Sequence, residues 1–271
     1  AFSTVVLTSS IVNVAVPDVM GAFGVGQDQV QFIATAFFAS MTASLLISPW
    51  VVDKLGVQLT FSISLVLFAI GSLISTFSPN LPVIIFGRVV QGFGSGVMQP
   101  LVMMALVQAF PPERRGMAMG IFSLGIVCAH GVGPYMGGLT IDAFHWRFIF
   151  LLPLPIVVFA FVMGLLFLPS RVRGTNASFD WLGFALLSVS IFCMMTVIAN
   201  GQRDGWFSDS ILVTFLISLT TSAAFIITQI YGKTRMMEVA LFRHIPFAAA
   251  IVISLVYGLV NFSAIYLYPV F

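Results

Sequence analysis

The amino-acid sequence predicts an all-α polytopic membrane protein, and two of its features carry that prediction. Charged residues are 7% of the 271 residues and hydrophobic residues are 59%, whereas about 25% of an ordinary soluble domain is charged. The apolar residues are also grouped into runs of about 20, the length that an α-helix needs to cross a bilayer. A bilayer therefore suits this chain better than water does, because lipid solvates apolar side chains directly.

Nine apolar runs follow one another along the chain, and each is a candidate spanning helix. Strands of a β-barrel would alternate in polarity over about ten residues, whereas these runs are longer and apolar on every side. The first and last runs reach the ends of the sequence, so we expect a fragment that lacks both natural ends. The runs are 1–19, 30–52, 59–77, 81–110, 117–141, 148–168, 181–198, 211–231 and 245–271.

Basic residues in the connections predict the orientation of these helices. Only Arg147 and Arg203 lie in connections on one side of the membrane, against eight basic residues on the other. Because cytoplasmic connections are enriched in Lys and Arg, the first helix is predicted to run outward from the cytoplasm. The missing N-terminus is then cytoplasmic. The eight residues are Lys54, Arg114, Arg115, Arg171, Arg173, Lys233, Arg235 and Arg243.

The remaining composition excludes several classes of function. A net charge of +2, scattered along the chain, argues against a nucleic-acid partner. Cys128 and Cys193 both lie inside apolar runs, which is typical of small buried hydrophobic residues and not of a disulfide or metal site. We therefore expect no metal and no cofactor.

Arg88 is one of two ionisable residues deep inside an apolar run. A central Arg costs about 2.5–3.5 kcal/mol on insertion scales, which favours a partner or a water-filled pathway around it. The alternative is that Arg88 extends to the exterior interface, near the start of its helix. A stripe of polar and small residues shares its helical face and is predicted to point into the protein. The stripe consists of Gln91, Gly92, Ser95, Gly96 and Gln99.

His130, the second such residue, lies next to a predicted hinge. Pro134 removes a backbone donor and bends or loosens a helix, and the glycines beside it let a neighbouring helix approach closely. His130 is a candidate for proton handling, because histidine titrates closest to neutral pH. A neutral His130 bonded to a backbone carbonyl is the alternative. The glycines are Gly133, Gly137 and Gly138.

Polar side chains on the first and last runs are candidates for lining a substrate cavity. Ser9, Asn13 and Pro17 share one face of the first helix, and Tyr257 and Asn261 share a face of the last. Gln99 is a further candidate. Hydroxyl groups in membrane helices also bond to their own backbone, which is the alternative for the serines and threonines.

At this point three segments resemble signatures of the major facilitator superfamily. SPWVVDKLGVQ (48–58) is similar to its cytoplasmic loop signature through Asp53, Lys54 and Gly56. RVVQGFGSGVMQP (88–100) resembles its helix-4 signature, with Arg88, Gln91 and Gly92 as the core and Gly96 beside them. GIFSLGIVCAHGVGPYMGG (120–138) resembles the helix-5 signature of its drug antiporters, and the matching residues are Gly120, Gly133, Pro134, Gly137 and Gly138.

The segments IVNVAVP, WRFIFLLPLPI and DWLGFALL narrow the resemblance to the fourteen-helix EmrB/QacA-type branch. It implies a six-helix bundle at 1–168, two additional helices at 169–231, and at 232–271 the connection and first helix of a second bundle. It also implies a bacterial inner membrane and export of hydrophobic or cationic solutes, with the proton gradient as energy source. In some relatives the resemblance further implies a periplasmic adaptor and an outer-membrane channel.

The chain departs from that branch at its first helix. The resemblance implies an acidic residue where this sequence has Thr8, and two basic residues where it has Val57 and Gln58. Proton coupling would then use Arg88 with His130, or an acid in the absent half. An uncoupled facilitator or importer of the same fold is the alternative function. A remote alternative is an intramembrane enzyme using Ser95 and His130.

Overall fold

The structure is a computed structural model, and it describes residues 2–168, 178–232, 236, 241 and 244–267. Helices make up most of these residues, and no strand occurs among them, so the all-α prediction is confirmed. A short 3₁₀ turn, Trp146–Phe150, connects two of the helices. The helices are α1 (Phe2–Val14), α2 (Val16–Phe23), α3 (Gln27–Leu55), α4 (Val57–Thr76), α5 (Leu81–Ala109), α6 (Pro112–Ala143), α7 (Leu154–Phe167), α8 (Trp181–Asp204), α9 (Asp209–Tyr231) and α10 (Ile245–Leu267).

Membrane-spanning length is reached by most of these elements. In the described ranges, seven helices are long and apolar enough to cross a bilayer, and the α1–α2 pair is an eighth candidate. α10 begins at Ile245, where the ninth predicted run begins. Of the basic residues that predicted the orientation, five lie outside the described residues: Arg171, Arg173, Lys233, Arg235 and Arg243.

The first predicted span is broken into two helices, which corrects the expectation of one continuous helix over 1–19. α1 ends at Val14, α2 begins at Val16, and the two are bent by 55°. Pro17 explains the break, because its nitrogen has no hydrogen to donate to the carbonyl of Asn13 and its ring collides with that turn. The chain therefore changes direction within the membrane.

α5 forms the centre of the first helices, between α3 and α4. Its glycines permit that position: a Cβ at Gly92 would collide with the carbonyl of Phe37 on α3, and one at Gly94 with the carbonyl of Ser64 on α4. α1 packs mainly on α6, and α7 packs on α4. The α3–α4 connection is the single residue Gly56, whose φ of 79° lies in the region that favours glycine.

α8 and α9 form an antiparallel hairpin held by hydroxyl groups. The Oγ atom of Ser190 donates to the carbonyl of Ser218 at 3.1 Å, and the Oγ atom of Ser218 donates back to the carbonyl of Ser190 at 3.0 Å. Ser222 adds a hydroxyl–hydroxyl contact of 2.5 Å to Ser190. Such contacts join helices where no hydrophobic driving force exists between them.

The hairpin lies against α3, which it contacts near both ends. Arg203 on α8 pairs with Asp28 on α3 at 3.0 Å, and the Nε2 atom of Gln31 donates to the Oδ1 atom of Asn200 at 2.8 Å. At the opposite end of α3, the ring of Trp50 lies 5.1 Å from that of Phe179 and 5.7 Å from that of Trp181. α8 therefore runs antiparallel to α3.

Candidate functional site

Arg88 is buried at the meeting point of α3, α4 and α5, with 1% of its surface exposed. Its Nη1 atom donates to the Oε1 atom of Gln91 at 2.5 Å, and its Nε atom to the carbonyl of Ile33 at 3.3 Å. The guanidinium carbon lies 3.9 Å from the ring centre of Phe37. The amide of Gln91 in turn donates to the Oγ atom of Ser72 at 2.7 Å. Arg88 thus crosslinks three helices.

The ion pairs within the described residues both belong to Arg203, so no carboxylate there neutralises Arg88. Its charge is instead compensated by carbonyl oxygens and by the negative face of an aromatic ring, as in other cation–π contacts. The predicted stripe does face inward, since Gln91 and Ser95 are both fully buried. Gln99 is only half-buried.

Glycine makes this close packing possible. A Cβ at Gly96 would overlap the carbonyl of Met41, just as one at Gly92 would overlap that of Phe37. Gly92 and Gly96 therefore place α5 directly against the backbone of α3, one and two turns beyond the bond between Arg88 and Ile33. The residues that match the helix-4 signature lie on α5 here, and they form one tightly packed contact between helices.

His130 lies on α6 where that helix packs against α1. Its Nδ1 atom is 3.2 Å from the carbonyl of Ile126, one turn earlier, and its own carbonyl accepts from the Oγ atom of Ser10 at 3.4 Å. The ring is half-buried. No hydrogen bond joins His130 to Arg88, so the structure does not bring the two predicted charge-handling residues together.

The predicted hinge residues of α6 divide into two groups. A Cβ at Gly133 would approach the Oγ atom of Ser10 to 2.6 Å, and one at Gly137 would approach Ile11 on α1 to 3.2 Å. Gly120 and Gly138 have open space beside them, with nothing within 4 Å of an added Cβ. Pro134 is exposed, and α6 continues through it without interruption.

The loop-signature residues lie at the junction of α3 and α4. Asp53 and Lys54 are exposed in the last turn of α3, where the Nζ atom of Lys54 lies 4.5 Å from the ring centre of Trp50. Gly56 forms the turn itself. Gln58, which stands where the resemblance implies a basic residue, donates to the carbonyl of Leu165 at 2.7 Å and so connects α4 to the end of α7.

Asn13 is exposed on α1, beside the break before α2. Ser9, one turn earlier on the same face, is half-buried and donates to the carbonyl of Val6 at 2.8 Å. Tyr257 is 69% exposed on α10. Asn261 belongs to the same helix, but its side chain lies outside the described residues.

Two polar contacts, one buried and one partly buried, were not predicted from the sequence. Asp180 caps α8 by accepting from the backbone nitrogen of Gly183 at 2.8 Å, and its second oxygen accepts from the Nε2 atom of Gln229 at 2.7 Å. Arg147 donates to the carbonyls of Thr76 and Ser78 at the end of α4. The sequence could have predicted that Asp180 caps α8, because an aspartate directly before an apolar run is typical of a helix start. It contains no pattern that predicts the partners distant in sequence.

The family assignment comes from comparison with known proteins. The family model for the Major Facilitator Superfamily matches residues 1–270.

This chain belongs to the Major Facilitator Superfamily.

Several curated relatives agree with that assignment. Multidrug export protein EmrB of Escherichia coli K12 is 31% identical over 267 residues, which are 97% of this chain and 52% of that protein. The EmrB protein of Haemophilus influenzae is 28% identical, with 97% and 52% covered. The uncharacterised transporter YhcA of Bacillus subtilis is 27% identical, with 98% and 50% covered. The chain spans about half the length of these relatives.

Solved structures show the same fold at low sequence identity. The POT family transporter PepTSo is 14% identical with a TM-score of 0.54, over 83% of this chain and 50% of that one. This likeness concerns the fold alone. Together with the apolar helices, the superfamily membership identifies the chain as part of a multi-pass protein of the bacterial inner membrane, in an EmrB-type branch.

Proposed function

We propose that the complete protein exports small hydrophobic or cationic molecules by alternating access, driven by inward movement of protons. The observation that best supports this proposal is the exposure of Asn13, a polar side chain on the surface of the first bundle. Asn13 lies near the middle of the α1–α2 pair, which together are long enough for one membrane span, and so lies well inside a hydrocarbon core about 30 Å thick.

A position facing lipid would be unfavourable for this group. The amide of Asn13 would lose its hydrogen bonds to water, and Pro17 also leaves the Asn13 carbonyl without its helical donor. Irregular backbone at membrane depth is tolerated where it is buried in protein or lines a water-filled cavity. The face of Ser9, Asn13 and Pro17 therefore fits one wall of a water-filled pathway, with a second helical bundle as the opposite wall.

Alternating access follows from this arrangement. Two bundles that rock about a site near the midplane expose it first to one side and then to the other. A bound proton drives the change only if its affinity differs between the two states. We propose His130 as the proton-binding group in this half, because it lies on α6 where that helix packs against α1. Arg88 would act as a fixed charge. No cofactor takes part.

The test is dye uptake into inverted membrane vesicles that contain the full-length protein. An imposed pH gradient, acidic inside, is expected to drive ethidium into the vesicles, and collapse of the gradient should release it. His130→Ala should retain downhill exchange of ethidium and lose the response to pH. No ethidium movement under any gradient would refute drug export.

An uncoupled facilitator is the second candidate, and Thr8 is the observation that favours it. The side chain that replaces the branch's acid is 1% exposed and donates to the carbonyl of Thr4 at 2.8 Å, so it offers no proton site. Under this alternative, ethidium would follow its own concentration gradient at the same rate with and without a pH gradient.

An enzymatic function has little support from the geometry of Ser95. Its hydroxyl is fully buried and donates to the carbonyl of Gln91 at 2.8 Å, and no hydrogen bond joins it to His130. We therefore propose transport without catalysis. A fluorophosphonate probe is expected to leave Ser95 unlabelled in the full-length protein.

A membrane transporter binds its solute and is surrounded by lipid. We propose in addition a periplasmic adaptor and an outer-membrane channel, as the resemblance to the EmrB-type branch implies. Affinity purification of the full-length protein from a Gram-negative host, after chemical crosslinking, should recover an adaptor. A preparation that exports ethidium but recovers none would contradict this part of the proposal.

A further inference from the structure

A buried aspartate begins the segment DWLGFALL, which the proposed transport mechanism does not use. Asp180 is 7% exposed and lies at the start of α8, at the end of the hairpin predicted to be cytoplasmic. Neither ion pair in the described part of the chain involves it. Its two oxygens accept instead from neutral donors, the backbone nitrogen of Gly183 and the Nε2 atom of Gln229 near the end of α9. Asp180 therefore joins both helices of the hairpin at their base.

Gln229 extends this contact beyond the hairpin. Its side chain is 1% exposed, and its Oε1 atom accepts from the backbone nitrogen of Met236 at 2.8 Å. Met236 lies in the connection between α9 and α10, which leads to the second bundle that the resemblance implies. A continuous series of hydrogen bonds thus runs from the start of α8, through Asp180 and Gln229, to that connection.

The base of the hairpin is closely packed and is in contact with the first bundle. A Cβ at Gly183 would collide with the carboxylate of Asp180, so a side chain there would disturb the bond to α9. The rings of Phe179 and Trp181, on either side of Asp180, lie 4.9 Å apart, and both contact the ring of Trp50 on α3. The hydrogen bonds of Asp180 therefore connect the first bundle to the chain that leaves the hairpin.

The charge of Asp180 determines the direction of these hydrogen bonds. An ionised carboxylate can only accept, so the side-chain amide of Gln229 must turn its nitrogen toward Asp180. Its oxygen then faces the backbone nitrogen of Met236, which can only donate. A side chain at position 180 that donates toward Gln229 would turn that amide around, and the nitrogen of Met236 would then face a second donor.

We propose that Asp180 is a positioning residue that, through Gln229, fixes the start of the connection between the two bundles to the base of the hairpin. The second bundle then moves relative to the first from a defined point of attachment. The role in movement rests on the proposed alternating access. The attachment itself can be measured without any transport.

Reciprocal exchange of the two side chains tests the proposal in the full-length protein. Asp180→Asn keeps the cap of α8, because asparagine and aspartate cap helices about equally well, but its amide donates toward Gln229. Gln229→Glu makes two carboxylates face each other, and their repulsion should separate them. The double variant restores a donor opposite each acceptor, since the amide at 180 donates to the carboxylate at 229, which accepts from Met236. Asp209→Asn is the matched control, because Asp209 is exposed at the opposite end of the hairpin.

Hydrogen–deuterium exchange at the amide of Met236, followed by mass spectrometry in lipid nanodiscs, is the first measurement. We expect exchange to be about three- to tenfold faster in either single variant, the effect of losing one hydrogen bond. The double variant and Asp209→Asn should exchange at the wild-type rate. Equal exchange in wild type and Asp180→Asn, or no recovery in the double variant, would overturn the proposal. Faster exchange spread equally over all helices would show general destabilisation and would overturn it as well.

Ethidium uptake into inverted vesicles is the second measurement. Because the attachment concerns the movement of the bundles and not the solute, Asp180→Asn should lower the maximal rate severalfold and leave the half-saturating ethidium concentration unchanged. The double variant should recover the maximal rate. An altered half-saturating concentration at an unchanged maximal rate would contradict the positioning role. If wild type moves no ethidium, the proposed function fails, and exchange at Met236 still decides whether the attachment exists.

Discussion

Arg88 illustrates how a single cationic side chain is held inside an apolar bundle. Its two donating nitrogens bond in different directions, to Ile33 on α3 and to Gln91 on its own helix, while Phe37 covers the guanidinium plane. A planar, forked donor is needed for this geometry, and lysine offers a single point charge instead. The position is therefore specific for arginine as well as for positive charge.

We expect Arg88→Lys to reduce proton-driven ethidium efflux by about tenfold, and Arg88→Ala to abolish it while membrane insertion is retained. The measurement is initial uptake into inverted vesicles, normalised to the amount of folded protein. Arg114→Lys is the control, since Arg114 is exposed in the first turn of α6. Unchanged efflux in Arg88→Ala would exclude the proposed fixed charge.

Asn13 permits a direct test of the water-filled pathway. In the full-length protein, a cysteine at Asn13 should react with a charged, membrane-impermeant thiosulfonate, because such reagents need water at the thiol. Two other positions serve as controls: Ile11→Cys, which is buried in the core, and Val66→Cys, which is 46% exposed on an apolar helix. We expect neither to react. Equal reactivity of the cysteines at positions 13 and 66 would contradict the proposal that Asn13 faces water and Val66 faces lipid.

At the residue scale, the sequence predicted burial better than it predicted partners. The spacing of Arg88, Gln91 and Ser95 placed them on one inward face, which the structure confirms. Ile33 and Ser72, the acceptors on other helices, could not be inferred, because backbone carbonyls and serines recur throughout such chains. Whether Arg88 and His130 handle charge or protons stays a prediction.

Glycine spacing controls packing at the scale of the helix. We expect Gly92→Ala to destabilise the protein by about 1–3 kcal/mol, because the added methyl group meets the carbonyl of Phe37 and overpacks the contact. Gly131→Ala on α6 has open space and should instead stabilise the helix by up to about 1 kcal/mol. Thermal unfolding of the purified full-length variants measures both, and opposite signs are expected.

The α8–α9 hairpin contacts α3 near both ends of α3. We therefore expect the hairpin to move with the first bundle. Cysteines at Gln31 and Asn200, in a C128A and C193A background, should be joined by a short thiol-to-thiol reagent with transport retained. Ethidium uptake before and after crosslinking is the measurement. Loss of transport on crosslinking, reversed by reduction, would show instead that the hairpin slides along α3.

The sequence predicted the presence of helices reliably and their breaks poorly. Apolar length identified each run, yet Pro17 divides the first span although Pro49, Pro100 and Pro134 lie within continuous helices. The same residue type thus has different outcomes. A local pattern therefore does not predict which proline ends a helix.

At the scale of the whole molecule, the proposed pathway needs a second bundle as its opposite wall, and the chain spans about half the length of its relatives. We expect the 271-residue chain alone, reconstituted in liposomes, to show no ethidium transport under any gradient, while the full-length protein does. Circular dichroism of both preparations checks that helices have formed. Gradient-dependent transport by the shorter chain would require a pathway within one bundle or between two copies.

The α8–α9 hairpin has a consequence for how such proteins diversify. Because it consists of two antiparallel helices that satisfy their own hydroxyl groups through Ser190 and Ser218, its gene segment encodes a unit that returns the chain to the side of the membrane from which it left. Such a unit can be gained or lost in evolution without inverting any helix that follows it. The even number of helices, more than their sequence, would make such a gain or loss tolerable.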